Sequence, residues 1–278
     1  MKLESALYIV ATPIGNLGDI SFRAVEILKN VDMIAAEDTR HSARLMQHLD
    51  IGTPMMAYHD YSSDFQIDKI VSALGEGKSI ALISDAGTPL ISDPGFRLVR
   101  SLREQGFTVV PVPGACAVIA ALSASGLPSD RFSFEGFSPA KSAARRAIYD
   151  NVKLDARTLI YYESPHRILD SLEDMLHVFG DERRIVLARE ITKTYETFLD
   201  GCIGDVLDKL RADANQQRGE MVILIAGYDA PKQIDISPET EQMMRILLDE
   251  LPVKQAASLV SKITGDKKNK LYQWALEQ

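Results

Sequence analysis

Apolar residues recur along this chain in two rhythms. Short apolar runs at 7–10, 33–36, 55–58 and 79–83 have the length and flanking turns of buried strands. Between them, residues three and four apart form helical stripes at 21–31, 41–49, 64–74 and 96–105. Ser21 is placed to cap the first of these helices, with Phe22, Val25, Ile27 and Leu28 as its apolar stripe. Val109 and Val110 close the series. Such alternation predicts an α/β unit around a largely parallel sheet. The texture changes after Pro113 and Gly114. A small-residue helix at 115–125 leads to a strand at 132–137, a helix at 142–152 and a strand at 158–162. A helix at 165–179 follows, with Pro165 in its first turn, where a missing N–H costs little. Strands at 185–188, 197–199 and 221–226 and a helix at 204–211 complete a second block, whose hairpin-compatible neighbours predict a mixed sheet. A polar segment at 227–238 reads as a linker to three helices at 238–251, 253–264 and 268–276, each too short to be stable unless packed on the others. The expected architecture is α/β: one α/β domain over 1–113, a second over 114–228, and a small helical module over 238–278.

The length of 278 residues accommodates two domains and an appendage. A hydrophobic fraction of 46% and a charged fraction of 25% are those of a soluble globular protein. The net charge of −8 argues against indiscriminate binding to nucleic acid or anionic membrane, leaving room only for local basic patches. Two cysteines, Cys116 and Cys202, do not make a disulfide framework or a Cys-rich zinc site, so a reduced protein is expected. The start carries no signal-like apolar run. The most apolar stretch, 108–127, is broken by Pro111, Pro113 and Gly114, so a cytoplasmic, membrane-free protein is expected.

Familiar catalytic loops are missing. The chain has no G-x-x-x-x-G-K-[ST], no G-x-G-x-x-G after the first strand, no G-x-S-x-G and no H-E-x-x-H. His166 and His177 read as surface residues. What stands out are turns directly after strands, where ligands sit in open α/β sheets. They are Thr12-Pro13-Ile14-Gly15-Asn16, the dense Ser84-Asp85-Ala86-Gly87-Thr88-Pro89-Leu90-Ile91-Ser92-Asp93-Pro94-Gly95, and Val112-Pro113-Gly114. Each alone could be a tight connection; three on one sheet edge point to a ligand cleft. A fourth cluster, Glu37-Asp38-Thr39-Arg40-His41, also follows a strand. Asp38 could cap the next helix and Arg40 could pair with Glu37, or the group could position a substrate hydroxyl and its phosphate.

These residues resemble a known family. S-D-A-G-T-P-L-I-S-D-P-G (84–95), A-E-D-T-R (36–40), T-P-I-G-N-L-G-D (12–19), V-P-G-A (112–115), G-F-S-P-A-K (136–141), Y-E-S-P-H-R (162–167) and G-E-M-V (219–222) look like the ribosomal RNA small-subunit methyltransferase I family. That family is a branch of the tetrapyrrole-methylase-like enzymes. The resemblance runs from about residue 6 to the C-terminus, and the 84–95 motif is highly specific. It implies two α/β domains with S-adenosylmethionine between them, usually a homodimer, and 2′-O-methylation of a cytidine in the decoding region of small-subunit (16S) ribosomal RNA. By similarity, cofactor contacts fall on Pro13, Ser84, Asp85, Ala86, Gly87, Ala115 and Cys116, and on Tyr162, Glu163, Gly219, Glu220 and Met221. Tetrapyrrole methylases usually carry a G-x-G-P-G-type first loop; Thr12-Pro13-Ile14-Gly15-Asn16 departs from it and favours the RNA branch.

Methyl transfer needs no metal, and the cofactor carries the reactivity. A ribose hydroxyl is a poor nucleophile and needs a proton acceptor; Asp38 is the first candidate, oriented by Glu37 and Arg40, with Asp85 and Glu163 competing. An acidic RNA enzyme must concentrate its positive charge. Lys141, Arg145 and Arg146 form one cationic segment, for which a merely solvated face is the alternative. The other is the end of the chain, where five lysines between 252 and 278, including Lys267, Lys268 and Lys270, face two acidic residues across two short helices resembling a helix-turn-helix. Trp274 reads as core. The expected partner is the small ribosomal subunit, without DNA or membrane. A small-molecule methylase of the same fold and a non-enzymatic ribosome-binding factor are the competing readings.

Overall fold

The computed structural model describes residues 3–59, 64–229 and 236–276. They form two compact units divided after Tyr228. Residues 230–235 of the expected linker, and Glu277 of the basic end segment, lie outside the described residues.

The first sheet is built from β1 (Leu7–Val10), α1 (Phe22–Asn30), β2 (Met33–Ala36), α2 (Thr39–His48), β3 (Met55–Ala57), α3 (Asp64–Gly75), β4 (Ile80–Ile83), α4 (Phe96–Glu104) and β5 (Val109–Val112). Its order is β3-β2-β4-β1-β5 and every pairing is parallel. Successive residues of a strand point to opposite faces, which explains the near-continuous apolar runs of a sheet covered on both sides. Leu7, Ala35, Ile80 and Leu82 pack with Ile70, Leu98 and Leu102; Val10, Ile34, Ala36 and Ile83 pack with Leu28 and Met46. The chain leaves β1 toward β2 on one side and leaves β4 toward β5 on the other. Adjacent β1 and β4 therefore send their loops in opposite directions, and a crevice opens at their carboxyl ends.

The second sheet comprises α5 (Ala117–Ser125), β6 (Phe132–Phe137), α6 (Ser142–Val152), β7 (Thr158–Glu163), α7 (Ile168–Phe179), β8 (Arg184–Arg189), β9 (Thr197–Cys202), α8 (Ile203–Ala212) and β10 (Met221–Ile225). Its order is β6-β7-β10-β8-β9. Only β6–β7 is parallel, so the sheet is mixed as the hairpin pattern predicts. Leu159, Tyr161, Leu187 and Ile223 bury one face against α6, α7 and α8; Ile160, Val186, Val222 and Leu224 bury the other against Val118 and Leu122 of α5.

Three expectations need correction. Phe22 opens α1 but is 95% exposed; Ala24, Ile27 and Leu28 form the buried stripe. Pro165 is not in the first turn of α7, because residues 164–167 make a separate turn closed by the Arg167 N–H on the Ser164 carbonyl, and the helix starts at Ile168. The strand at 109–110 runs on through Pro111 to Val112, which is permitted because β5 is an edge strand. Ser21 does cap α1, accepting from the Ala24 N–H at 3.1 Å.

The second unit holds α9 (Pro238–Glu250), α10 (Val253–Thr264) and α11 (Lys268–Leu276) around Met244, Ala257, Val260, Leu271 and Trp274. Trp274 is core, with the Arg245 guanidinium over its ring at 5.6 Å. Gly265 takes the left-handed conformation that ends α10, and Asp266 accepts from the Thr240 hydroxyl to tie the turn to α9. Lys267, Lys268 and Lys270 are exposed. Among the described residues no helix is long and apolar enough to cross a membrane, and no group of three potential metal ligands occurs.

Candidate active site

Two cavities meet where the crevice of the first sheet faces the second. The turns after β1 and β4 are stitched together by Thr12 and Gly87, which exchange backbone hydrogen bonds of 2.8 and 3.0 Å. The Thr88 hydroxyl donates to the Ala115 carbonyl at 3.0 Å, tying in the loop after β5. Gly87 has φ +81°, and a Cβ there would stand 3.3 Å from the Ile14 side chain, so this turn admits close approach only as glycine. Leu90 and Ser92 in the same loop, and Glu190 and Thr192 in the loop after β8, also have positive φ. Strained non-glycine backbone on both sides of one cleft is a mark of a functional site.

The first cavity, about 350 Å³, lies between Ile14, Ala86, Gly87, Thr88 and Ile91 of the first half and Cys116, Phe137, Tyr162, Ile191, Met221 and Val222 of the second. Asp93 and Glu220 add acidic residues to its lining, and Glu163 lies at its wall. Tyr162 stacks edge-on against Phe134 and Phe137 with centroids 4.9 and 5.3 Å apart. Burial pushes its hydroxyl far above the ordinary tyrosine range, so it stays neutral. The second cavity, about 300 Å³, sets Ser84, Asp85, His41, Ser42, Arg44 and Lys193 among apolar lining that includes Leu17 and Leu45. Pro13, Ile14, Ala86 and Glu220 also line it.

The residues singled out in the sequence fall into distinct places. Ala86, Gly87, Cys116, Tyr162, Glu163, Glu220 and Met221 line the first cavity, while Pro13, Ser84 and Asp85 line the second. Ala115 contributes the carbonyl that holds Thr88. Gly219 stands behind Glu220, where a Cβ would overlap the Glu190 side chain at 2.4 Å. Glu163 points its carboxylate into protein. It accepts from the Ser164 N–H, the Arg167 guanidinium and the Ser171 hydroxyl, and the side chain is fully buried. Such a saturated group is structural rather than a base.

Asp38 performs the capping role. Its Oδ1 accepts from the Arg40 N–H at 2.8 Å, and its partner is the Arg40 side chain rather than Arg40 pairing with Glu37. The Arg40 side-chain hydrogen bond holds the Asp38 carboxyl down to about 2. The same segment is locked to the 84–95 loop reciprocally: the Asp38 N–H donates to Asp85 Oδ1 and the Asp85 N–H to Glu37 Oε2, both at 3.2 Å.

Arg145 is not a surface cation. It is 2% exposed, and its guanidinium donates to the Asp174 carboxylate at 2.6 Å and to the Pro139 and Ala140 carbonyls. Arg146, half exposed, pairs with the same carboxylate, and Lys141 is exposed. Burial pushes the Asp174 carboxyl up, but hydrogen bonds from Arg146, Ser142 and Arg145 outweigh it and bring it below the ordinary aspartate range.

Residue-by-residue sequence reasoning missed Ser42, Arg44, Ile191 and Lys193. Lys193 lies over Gly15 and pairs with Glu190 at 2.7 Å and Glu220 at 3.1 Å. Burial lowers its basicity, but the hydrogen bonds it donates to Glu190 and Glu220 win and hold it as an ammonium.

Over 98% of its length this chain is 56% identical to the ribosomal RNA small subunit methyltransferase I of Pseudomonas aeruginosa, of which it covers 97%. The chain belongs to that family. A second member, from Escherichia coli O157:H7, is 52% identical over 99% of the chain and 96% of its own length. The family model for tetrapyrrole (corrin/porphyrin) methylases matches residues 6–207, and one described as the RsmI C-terminal HTH domain matches 234–278. The solved methyltransferase CobJ shares the fold at a TM-score of 0.59 and 16% identity, covering 84% of this chain and 97% of that one. Both cavities of this chain are therefore built on the tetrapyrrole-methylase fold.

Proposed function

We propose that this protein is an S-adenosylmethionine-dependent methyltransferase that modifies the ribose 2′-oxygen of a cytidine in the decoding region of small-subunit ribosomal RNA. The observation that carries the reading is the first cavity, formed by the 84–95 and 219–222 motifs in a chain more than half identical to a named rRNA methyltransferase along its length. The residues there fit the cofactor. Ile14, Ile91, Ile191 and Val222 offer apolar walls to a purine, and the Gly87 turn exposes backbone where any Cβ would intrude. Asp93 and Glu220 offer negative charge to a sulfonium. When bound, S-adenosylmethionine supplies a methyl group already activated for displacement.

The chain's part is to orient and to move a proton. The ribose oxygen forms a bond to the methyl carbon as the carbon–sulfur bond breaks, and the hydroxyl proton passes to a carboxylate. Asp38 is held by Arg40 and acidified, which suits a positioning role; by capping α2 it places Ser42 and Arg44. Glu220, whose exposed carboxylate pairs loosely with Lys193, is the acidic residue common to both linings and is assigned the proton. The exposed Lys141 and the lysines of the C-terminal helices supply phosphate contacts. A homodimer in the cytoplasm completes the proposal, and light scattering of the purified protein tests the dimer.

The deciding assay incubates the protein with methyl-labelled S-adenosylmethionine and unmethylated small subunits, naked rRNA or tetrapyrrole precursors. Label in one ribose of the small-subunit rRNA is expected. Label in a tetrapyrrole, or binding to subunits without transfer, overturns the reading. Glu220→Gln should depress the rate constant of transfer far more than cofactor affinity, while Asp38→Asn should do the reverse of a lost base and leave measurable turnover.

A further inference from the structure

We propose that the second cavity seats the sugar–phosphate of the acceptor strand, with Ser42, Arg44 and Lys193 as its ligands. This rests on the RNA-methylating reading and deepens it. The two cavities share Ile14, Ala86 and Glu220 in their linings, so groups bound in each meet at that seam. A strand entering the second cavity brings its ribose to Glu220 and to the methyl group beyond it.

The observation pointing to a ligand is a hydroxyl with nothing to bond. Ser42 is 3% exposed and lines the second cavity, yet its Oγ has no hydrogen-bond partner. Thr192 Oγ1, beside Lys193 in the loop that covers Gly15, is likewise buried and unpartnered. Buried hydroxyls without partners are costly and rare, and they persist where something else completes them. The remaining lining tells what that is. Arg44 is exposed on α2, two residues from Ser42, with no ion-pair partner among the described residues. Lys193 comes from the opposite half, is partly exposed, and pairs with Glu190 and Glu220. A guanidinium and an ammonium on a cavity of about 300 Å³, with an unpartnered hydroxyl buried in its wall, match a phosphate diester, whose oxygens accept from such donors. Asp85 and Glu220, also in the lining, exclude a second phosphate and leave room for the sugar.

The test measures the affinity of the full chain for unmethylated small subunits in the presence of S-adenosylhomocysteine, across a salt series, with thermal stability and S-adenosylhomocysteine affinity measured alongside. Ser42→Ala should weaken subunit binding about tenfold without changing the salt slope. Its midpoint of unfolding should not fall, because the hydroxyl satisfies nothing in the free protein. Arg44→Ala, at an exposed position, should weaken binding by more than tenfold and reduce the slope of log affinity against log salt by about 0.7. Subunit affinity and slope unchanged in both variants would overturn the proposal and make Ser42 a packing defect, while wild-type label transfer would still uphold the enzyme. Wild-type binding that both variants weaken, with no label transfer, would uphold the subsite and overturn the enzyme. No binding by the wild type overturns both.

Discussion

The two halves of the body hold the same site by different means. The first half uses backbone: Thr12 and Gly87 exchange peptide hydrogen bonds, and the Asp38 and Asp85 N–H groups are taken by carboxylates of the neighbouring loop. The Arg40–Asp38 ion pair there is open to water. The second half uses buried charge. Glu163 is saturated by Arg167 and Ser171 at the cavity, Arg145 is held by Asp174 behind it, and the partly buried Lys193 pairs with Glu190 and the exposed Glu220. The cause is topological. Parallel strands deliver all their carboxyl ends to one edge, where tight turns suffice. In the antiparallel half the cavity meets the end of β7, the start of β10 and the loop after β8, and side chains must join segments that no single turn connects.

The largest effect should separate the halves by stability. Arg145→Met removes the buried partner of Asp174 and leaves its carboxylate to the half-exposed Arg146 and to Ser142, which should cost about 3 kcal/mol in chemical denaturation. Arg40→Ala, breaking a water-exposed pair, should leave the midpoint unchanged. Equal losses would erase the distinction. Next come two identical glycine changes. Gly219→Ala forces the Glu190 side chain off Lys193 and should cost about 2–3 kcal/mol, whereas Gly87→Ala meets one methyl group and strained φ and should cost about 1 kcal/mol. Cofactor affinity should fall in both, measured by calorimetry. A smaller effect belongs to the C-terminal unit. Changing Lys267, Lys268 and Lys270 to Glu should weaken subunit binding about tenfold at low salt and little at high salt, with cofactor affinity constant. The smallest is a pH dependence. The Asp174 carboxyl is depressed in the folded state, so its contribution is complete above the ordinary aspartate range and is lost as pH falls through the folded value. The stability deficit of Asp174→Asn should therefore be constant from about pH 5 to 8 and shrink below about pH 4. A deficit that grows toward low pH would reverse the assignment.

Arg145 shows why part of the site was illegible. Beside Lys141 and Arg146 it reads as one of three surface cations, and its partner lies on another helix. A signal existed: Asp174 and Ser171 fall on the apolar stripe of α7 with Ile168, Leu172 and Met175, and a carboxylate on a buried stripe requires a cation. Ser42 offered no such signal. It looks like any polar residue in a helix until the cavity beside it is seen. Asp38 lay between: its capping role is readable from position alone, but its pairing with Arg40 rather than Glu37 required coordinates.

By itself the sequence determined the order of strands and helices, with ends within about three residues, the turns after β1, β4 and β5, the cap at Ser21 and the packing role of Trp274. Each depends on local backbone geometry or on the periodicity of apolar side chains, and both are written in neighbouring residues. Only the tertiary structure decided which charges are buried, that Lys193 crosses from one half to lie over Gly15 in the other, and that one cleft holds two cavities joined at Glu220. Desolvation and pairing act through space between residues far apart in the chain, so no window of sequence contains them.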